Sequence, residues 1–296
     1  MTPAPRTATA PGKVSLLGEH AGVFGEPALA AALPFGVRAT VTPAADGGLV
    51  IDAPGVPVDD SRVQAAVQLM ATRTGVVHAR IRVESELPIG GGLGSSAAFS
   101  VALLRALATE PLAEVTLVEH SLASESLFHG TPSGVDSAIC ARGGLIRFQR
   151  RERREVTSIH AARPLSLVVA LTGRTRRTSS AVQSLRARVE TEPQRWQPIV
   201  ARLGALADGG VTDVETGDHR ALGGRMDEAH ALLAECGVST DELERIVRTA
   251  RKAGALGAKL TGAGGGGAAV ALVDDPEPVA AAIRRLGFAC HEVSVG

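Results

Sequence analysis

Hydrophobic and polar positions along the chain switch repeatedly between a period near two and a period near four. From His78 to Ser85, Ala79, Ile81 and Val83 alternate with Arg80, Arg82 and Glu84, the signature of a strand with one buried face. Val63, Ala66, Val67 and Met70 fall at helical spacing within Ser61–Thr74 and predict an amphipathic helix opened by Asp60 or Ser61 as N-cap. Short β-like runs at Lys13–Leu17, Ala28–Leu33, Val37–Val41 and Leu49–Asp52 are separated by Gly and Pro. Helices are predicted over about Ser95–Ala108 and Leu112–Phe128, then a turn-rich segment, His129–Asp136, and a strand near Leu145–Phe148. The unbroken apolar run Leu165–Leu171 reads as a buried strand. The next hundred residues are mostly helical, with turn signals at Gly209–Gly210 and at Gly237. Strands at Ala258–Thr261, Ala268–Val273 and Phe288–Val293 and a helix at Pro276–Leu286 complete the series.

This order predicts an α+β protein in two parts, each a sheet with helices packed on it. The charged stretch Arg147–Glu155 (RFQRRERRE), read as a solvated hairpin or linker, marks the edge between a domain at 1–155 and one at 156–296. No repeat of solenoid period and no low-complexity tract interrupts it.

Composition narrows the classes further. The chain has 296 residues, 45% of them hydrophobic, which excludes general disorder. With 31 basic and 31 acidic side chains there is no electrostatic footprint for nucleic acid. No stretch reaches the roughly 18 apolar residues of a membrane span, and Met1–Ala10 lacks the hydrophobic run of a secretory signal. Cys140, Cys236 and Cys290 are odd in number and far apart, which fits reduced thiols in a soluble cytoplasmic protein. Only Lys13, Lys252 and Lys259 are lysine; every other basic residue is arginine. Since the two are not interchangeable, Lys13 and Lys259, each beside a glycine-rich motif, stand out.

Three such motifs carry candidate chemistry. Leu87-Pro88-Ile89-Gly90-Gly91-Gly92-Leu93-Gly94-Ser95-Ser96-Ala97-Ala98 follows a predicted strand and opens a predicted helix. Glycine-directed N–H groups and a helix N-terminus can cradle phosphate, and a serine hydroxyl can reach Mg²⁺; a plain loop with Ser95 as N-cap is the ordinary alternative. Lys259-Leu260-Thr261-Gly262-Ala263-Gly264-Gly265-Gly266-Gly267, between two strands, is a tight hairpin or a second wall of a phosphate site. Pro11-Gly12-Lys13-Val14-Ser15-Leu16-Leu17-Gly18-Glu19-His20-Ala21 would put Lys13 and Glu19, six apart, on one face of an extended strand. Two carboxylates come from Ser124–Asp136. Glu125 continues the stripe Val115, Val118, Leu122, where burial is costly unless the charge is paired or bound to a cation. Asp136 follows a Pro/Gly turn; a helix-end Glu and an N-capping Asp are the ordinary readings.

Together these segments resemble the GHMP kinase family, whose three motifs they match in order, and within it the mevalonate kinase branch in GEHAGVFGEPALAAAL and ESLFHGTPSGVDSAICARGGLIRF. The resemblance implies an α+β fold with an N-terminal ATP-binding domain containing a left-handed β-α-β crossover and a C-terminal ferredoxin-like domain. It implies ATP and Mg²⁺ as cofactors and mevalonate as substrate, with neither nucleic acid nor membrane as partner, and it leaves a homodimer open. Residue by residue, Gly90, Gly91, Gly92, Leu93, Gly94, Ser95 and Ser96 would wrap the ATP phosphates, and Ser96 (or Ser95) with Glu125 would hold the metal. Asp136 would act as base toward the substrate hydroxyl, with Lys13 as its electrostatic partner. Glu19, His20, Thr178, Gly262 and Ala263 would line the substrate side. The stretch Thr172–Thr178 matches loosely, with Thr175 where a proline is usual; Arg174, Arg176 and Arg177 there would meet a substrate carboxylate or simply be solvated. A sibling kinase for phosphomevalonate, a sugar or homoserine, and a catalytically silent nucleotide sensor, are the rivals; Lys13, Glu125 and Asp136 argue against silence.

Overall fold

A computed structural model describes residues 4–54, 60–88, 90–129, 132–174 and 178–296, with no account of the side chains of 129 and 178–182. In chain order the elements are β1 (Arg6–Leu17), β2 (Ala28–Pro43), β3 (Leu49–Asp52), α1 (Ser61–Thr74), β4 (Ala79–Ser85), α2 (Ser95–Leu107), α3 (Glu114–His129) and α4 (Val135–Arg142). There follow β5 (Leu145–Arg150), β6 (Arg154–Ile159), β7 (Leu165–Leu171), α5 (Thr178–Thr191), α6 (Pro193–Thr216), α7 (His219–Glu235) and α8 (Asp241–Lys252). The chain ends with β8 (Gly257–Thr261), β9 (Ala268–Val273), α9 (Pro276–Arg285) and β10 (Ala289–Val295). It packs as two compact units: Met1–Gly12, Phe35–Ile89 and Gly94–Arg142 form the first, and Lys13–Pro34, Gly90–Leu93 and Gly143–Gly296 the second. β1 and β2 therefore contribute one stretch to each.

In the first unit β2 pairs antiparallel with β4 over Val37–Pro43, and β3 lies parallel to β4 with α1 as the crossover between them. α1 has the bounds its periodicity predicts, with the Asp60 side chain accepting from the Arg62 N–H at its start. α2 is buried on nearly every side, from Ala97 to Leu107 with Arg105 the exception, because α1, α3 and α4 all pack on it. Arg105 turns its guanidinium to the carbonyls of Thr9 and Ala141 at 2.8 and 2.6 Å.

In the second unit the four-stranded antiparallel sheet runs β10-β7-β9-β8. Counted within that sheet, the order is fourth, first, third, second, the ferredoxin-like arrangement. Leu167, Val168 and Val169 of β7 and Val270 and Leu272 of β9 are buried, and α9 covers the sheet with Val279, Ala280 and Ile283. The charged stretch at 147–155 is a hairpin: β5 pairs with β6 from Leu145↔Ile159 to Arg150↔Arg154, while β5 also pairs with β2 at Ala28–Ala31.

Several local expectations change. The segment expected as turn ends in α4, whose eight residues include an unbroken buried run, Ser137 to Ala141, that shows no helical period. β6 was hidden because five of its six side chains are not buried. β1 starts seven residues earlier than predicted, and β2 runs through Pro34 and Gly36 as one strand. Gly209–Gly210 is no turn but mid-helix in α6, where a Cβ on Gly210 would lie 2.4 Å from Leu17 Cδ1. All three cysteines are free, and burial pushes the Cys236 thiol up to about 11.

α7 meets β8 backbone to backbone. A Cβ on Gly223 would lie 2.3 Å from the Leu256 carbonyl oxygen, whereas one on Gly224 would meet nothing within 4 Å. Gly223→Ala is therefore expected to destabilise by about 2–4 kcal/mol, and Gly224→Ala to stabilise by about 0.5–1 kcal/mol through helix propensity alone. Urea unfolding of the two variants checks the opposite signs.

Candidate active site

The motif that opens the chain, from Lys13 to Ala21, and the one at Lys259–Gly267 meet inside the second unit. β1 ends at Leu17 because Gly18 takes φ +84°, and His20, at φ +63°, is the one non-glycine residue with positive φ among those described. Lys13 and Glu19 therefore do not share a strand face, contrary to their spacing. The three ionisable residues of this segment are nonetheless buried: Lys13 is 2% exposed, Glu19 5% and His20 7%.

What receives Ser15, Glu19 and His20 is one face of β8 and the loop that follows it. Lys259 and Thr261 lie two apart on the strand, and Ala263 lies past Gly262, whose φ of +79° ends it; each holds a different part of the Pro11–Ala21 motif. The Lys259 ammonium forms an ion pair with Glu19 Oε1 and donates to the Leu260 carbonyl at 2.7 Å. Thr261 Oγ1 accepts from the Ser15 N–H at 2.9 Å and donates back to the Ser15 carbonyl at 3.1 Å. His20 Nε2 lies 3.0 Å from the Ala263 carbonyl, an acceptor, so that nitrogen carries the hydrogen. Lys13 Nζ donates to Ser15 Oγ at 3.2 Å, and its backbone N–H donates to Leu93 O at 2.9 Å. Burial draws the Lys259 pKa below the ordinary lysine value; the Glu19 charge opposes that shift and the Lys13 charge adds to it. Gly262 and Ala263 begin the β8–β9 loop, which is tied back by the Gly265 N–H donating to Val238 O at 2.7 Å.

The central glycine motif has the backbone of an anion cradle. Gly90, Gly92 and Gly94 take φ of +70°, +81° and +75°, alternating with Gly91 and Leu93, which do not. Alternation of this kind turns successive N–H groups toward one side. Gly94 is the N-cap of α2 and offers no side-chain cap, and Ser95 and Ser96 of the first turn are half-buried.

Glu125 and Asp136 belong to helices of the first unit. Ser100 Oγ is 2.9 Å from the Ser96 carbonyl and 2.9 Å from Ser124 Oγ, which ties the first turns of α2 to the part of α3 that carries Glu125. Glu125 is 2% exposed, as its apolar stripe suggested, but Val115 at the start of that stripe is 64% exposed. The buried face of α3 is Leu117, Val118, Ser121, Leu122, Ser124 and Glu125. Ser121 Oγ and Ser137 Oγ are 3.0 Å apart, which fixes α4 against α3 next to Asp136. Asp136 is half-buried in the first turn of α4, following Gly134 at φ +102°; it is inside the helix rather than its cap. There an aspartate is favoured by the helix dipole. Thr178 starts α5 with its side chain outside the described residues, as are Thr175, Arg176 and Arg177 entirely. Arg174 forms an exposed ion pair with Glu242 at 2.8 Å, an ordinary surface contact.

Lys259 stood out in the sequence but without a partner, while Thr261 and the serine pairs Ser100–Ser124 and Ser121–Ser137 were missed. The placement of Lys259 and Thr261 two apart on a predicted strand was the available signal that they share a face. For the serines, small hydroxyls on the Glu125 face of a helix were the clue. Thr261→Val, isosteric but without the hydroxyl, would strand the Ser15 N–H and is expected to destabilise by about 1–3 kcal/mol in urea unfolding.

Comparison with known proteins was consistent across sequence and structure. The model for the GHMP kinases N terminal domain matches residues 61–144 and that for GHMP kinases C terminal matches 211–292. The mevalonate kinase of Pyrococcus abyssi is 33% identical, over 95% of this chain and 92% of its own length. That of Aeropyrum pernix is 35% identical over 91% and 89%. The crystal structure of L. major mevalonate kinase in complex with R-mevalonate superposes with a TM-score of 0.85 at 28% identity, covering 100% of this chain and 97% of the other. With both terminal family models matched and one-third identity sustained over nearly the whole length, the chain belongs to the GHMP kinase family.

Proposed function

We propose that the chain is a mevalonate kinase, transferring the γ-phosphoryl group of ATP to the primary hydroxyl of (R)-mevalonate in the cytoplasm. The observation that carries this reading is the near end-to-end alignment, at about one-third identity, with mevalonate kinases of two archaea. The buried polar groups around the three motifs agree with the chemistry required.

Phosphoryl transfer depends on positioning and on stabilising charge. The N–H groups of Gly90–Gly94 and the N-terminus of α2, with Ser95 and Ser96, bind the triphosphate. The metal's fit can be judged from the donor set. Mg²⁺ takes one or two carboxylates and completes its shell with water and phosphate oxygens, and no cluster of three or more acidic, His or Cys side chains exists among the described residues. A single buried carboxylate, Glu125, joined through Ser124 and Ser100 to the turn bearing Ser96, suits that requirement. Ser96 and Glu125 would hold the ion, which when bound neutralises charge on the β- and γ-phosphates.

Asp136 accepts the proton of the substrate hydroxyl as its oxygen bonds to phosphorus and ADP departs. Lys13 supplies a compact positive charge that lowers the hydroxyl's effective pKa and stabilises the developing negative charge. Glu19, His20 and Thr178 face the substrate, with Gly262 and Ala263 allowing close approach of the wall behind it.

ADP release over a panel of mevalonate, phosphomevalonate, galactose and homoserine tests the substrate; turnover of another member without mevalonate would overturn the assignment. Asp136→Asn and Lys13→Met are each expected to lower kcat by about 10²–10⁴-fold while ATP binding, followed by calorimetry, survives. Near-normal turnover in both would remove them from the chemistry. Glu125→Gln is expected to raise the Mg²⁺ concentration for half-maximal rate, and an unchanged requirement would exclude it as a ligand.

A further inference from the structure

The Glu19 carboxylate is used on one side only. Its side chain is 1% exposed, and Oε1 is taken by Lys259, whose own side chain is 0% exposed. Oε2 is equally buried and meets no donor among the described residues. An ionised carboxylate only accepts hydrogen bonds, so this oxygen calls for an O–H or N–H from outside. The neighbouring polar side chain, His20, already directs Nε2 to the Ala263 carbonyl.

We propose that Lys259 is a positioning residue of the substrate site: its ion pair with Oε1 holds the Glu19 carboxylate turned so that Oε2 accepts the non-reacting hydroxyl of the substrate. The inference rests on the mevalonate reading above. That substrate carries a primary hydroxyl, a tertiary hydroxyl and a carboxylate. The primary hydroxyl is committed to Asp136 and the phosphoryl group, and a carboxylate would be repelled by Glu19. The tertiary hydroxyl is the donor that remains.

Lysine suits this task. Its single ammonium fits the closed space between Glu19 and the Leu260 carbonyl, which a planar guanidinium with five N–H groups would not. Burial draws the Lys259 pKa down and the Glu19 charge opposes it, so the ammonium and the carboxylate hold one another in place. Without Lys259, nothing fixes the rotation of the Glu19 carboxylate about its Oε1 contact. The backbone supports the same geometry, because Leu260, which anchors the ammonium, is fixed by its N–H donating to His230 Nδ1 at 3.2 Å.

The test compares mevalonate with 5-hydroxy-3-methylpentanoate, which lacks the tertiary hydroxyl, in the wild type, Lys259→Met, Glu19→Gln and the double variant. In the wild type the analogue is expected to raise KM by about 10–100-fold. Each variant is expected to raise KM for mevalonate by a similar factor, with a much smaller fall in kcat and no change in KM for ATP. Each should also cease to distinguish the two substrates, and the double variant should be no worse than Glu19→Gln alone. Lys259→Arg should recover little. If Lys259→Met does not fold, the double variant, which buries no lone charge, decides the matter. Full discrimination between the substrates in Lys259→Met or in the double variant overturns the proposal. Absence of wild-type turnover on mevalonate would instead overturn the functional reading beneath it.

Discussion

One face of a five-residue strand organises the second unit. The side chains of Lys259 and Thr261 on β8, and the Ala263 carbonyl in the loop after it, grip Glu19, Ser15 and His20, some 240 positions earlier in the chain. The grip is polar and buried, which makes it specific. An ion pair or hydrogen bond sealed from water is costly to leave half-made, so few alternative packings compete with it. Because Ser15 also accepts from Lys13 Nζ, the same face sets both the backbone of the first motif and the direction of its ammonium.

The first unit solves a related problem with hydroxyls in place of charges. α2, α3 and α4 pack closely through Ser100–Ser124 and Ser121–Ser137, pairs small enough for helices to approach and directional enough to fix their rotation. Each pair sits next to an acidic residue, Glu125 or Asp136. A carboxylate on a rotating helix face would be misplaced by an ångström or more. Neighbouring hydroxyl bonds remove that freedom at little steric cost.

Much of this was legible in the chain, for identifiable reasons. α1 and β4 have long, clean periodicity, and their bounds follow it to within a residue. The three motifs were visible because glycines mark backbone that side chains cannot enter. α4 and β6 were not, because one shows no helical period and the other is largely unburied on both faces. Gly209–Gly210 misled for the opposite reason: glycine there serves the close approach of Leu17 to α6, not a turn. At the site, Glu125 was found through the cost of its burial. Glu19 was found but given the wrong neighbour, since Gly18 breaks the strand that its spacing from Lys13 assumed. Partners across 240 residues leave no periodic trace at all.

The arginine bias bears on the chemistry more than any motif taken singly. In a chain where nearly every cation is arginine, the surface pairs Arg82–Asp52, Arg202–Glu228 and Arg284–Glu292 use the weakly hydrated guanidinium where solvent tolerates its size, bidentately in Arg202–Glu228. Two of the three lysines are instead among the largest fully buried side chains. Lys13 and Lys259 thus mark the places where a guanidinium is too wide and too diffuse in charge, one directed at Ser15 beside the first motif and the other at Glu19. Lys252, by contrast, is exposed at the end of α8, where arginine would serve as well. Arginine thus serves where solvent leaves room for its fork, and the compact ammonium serves where a single buried oxygen must be met by a single positive point.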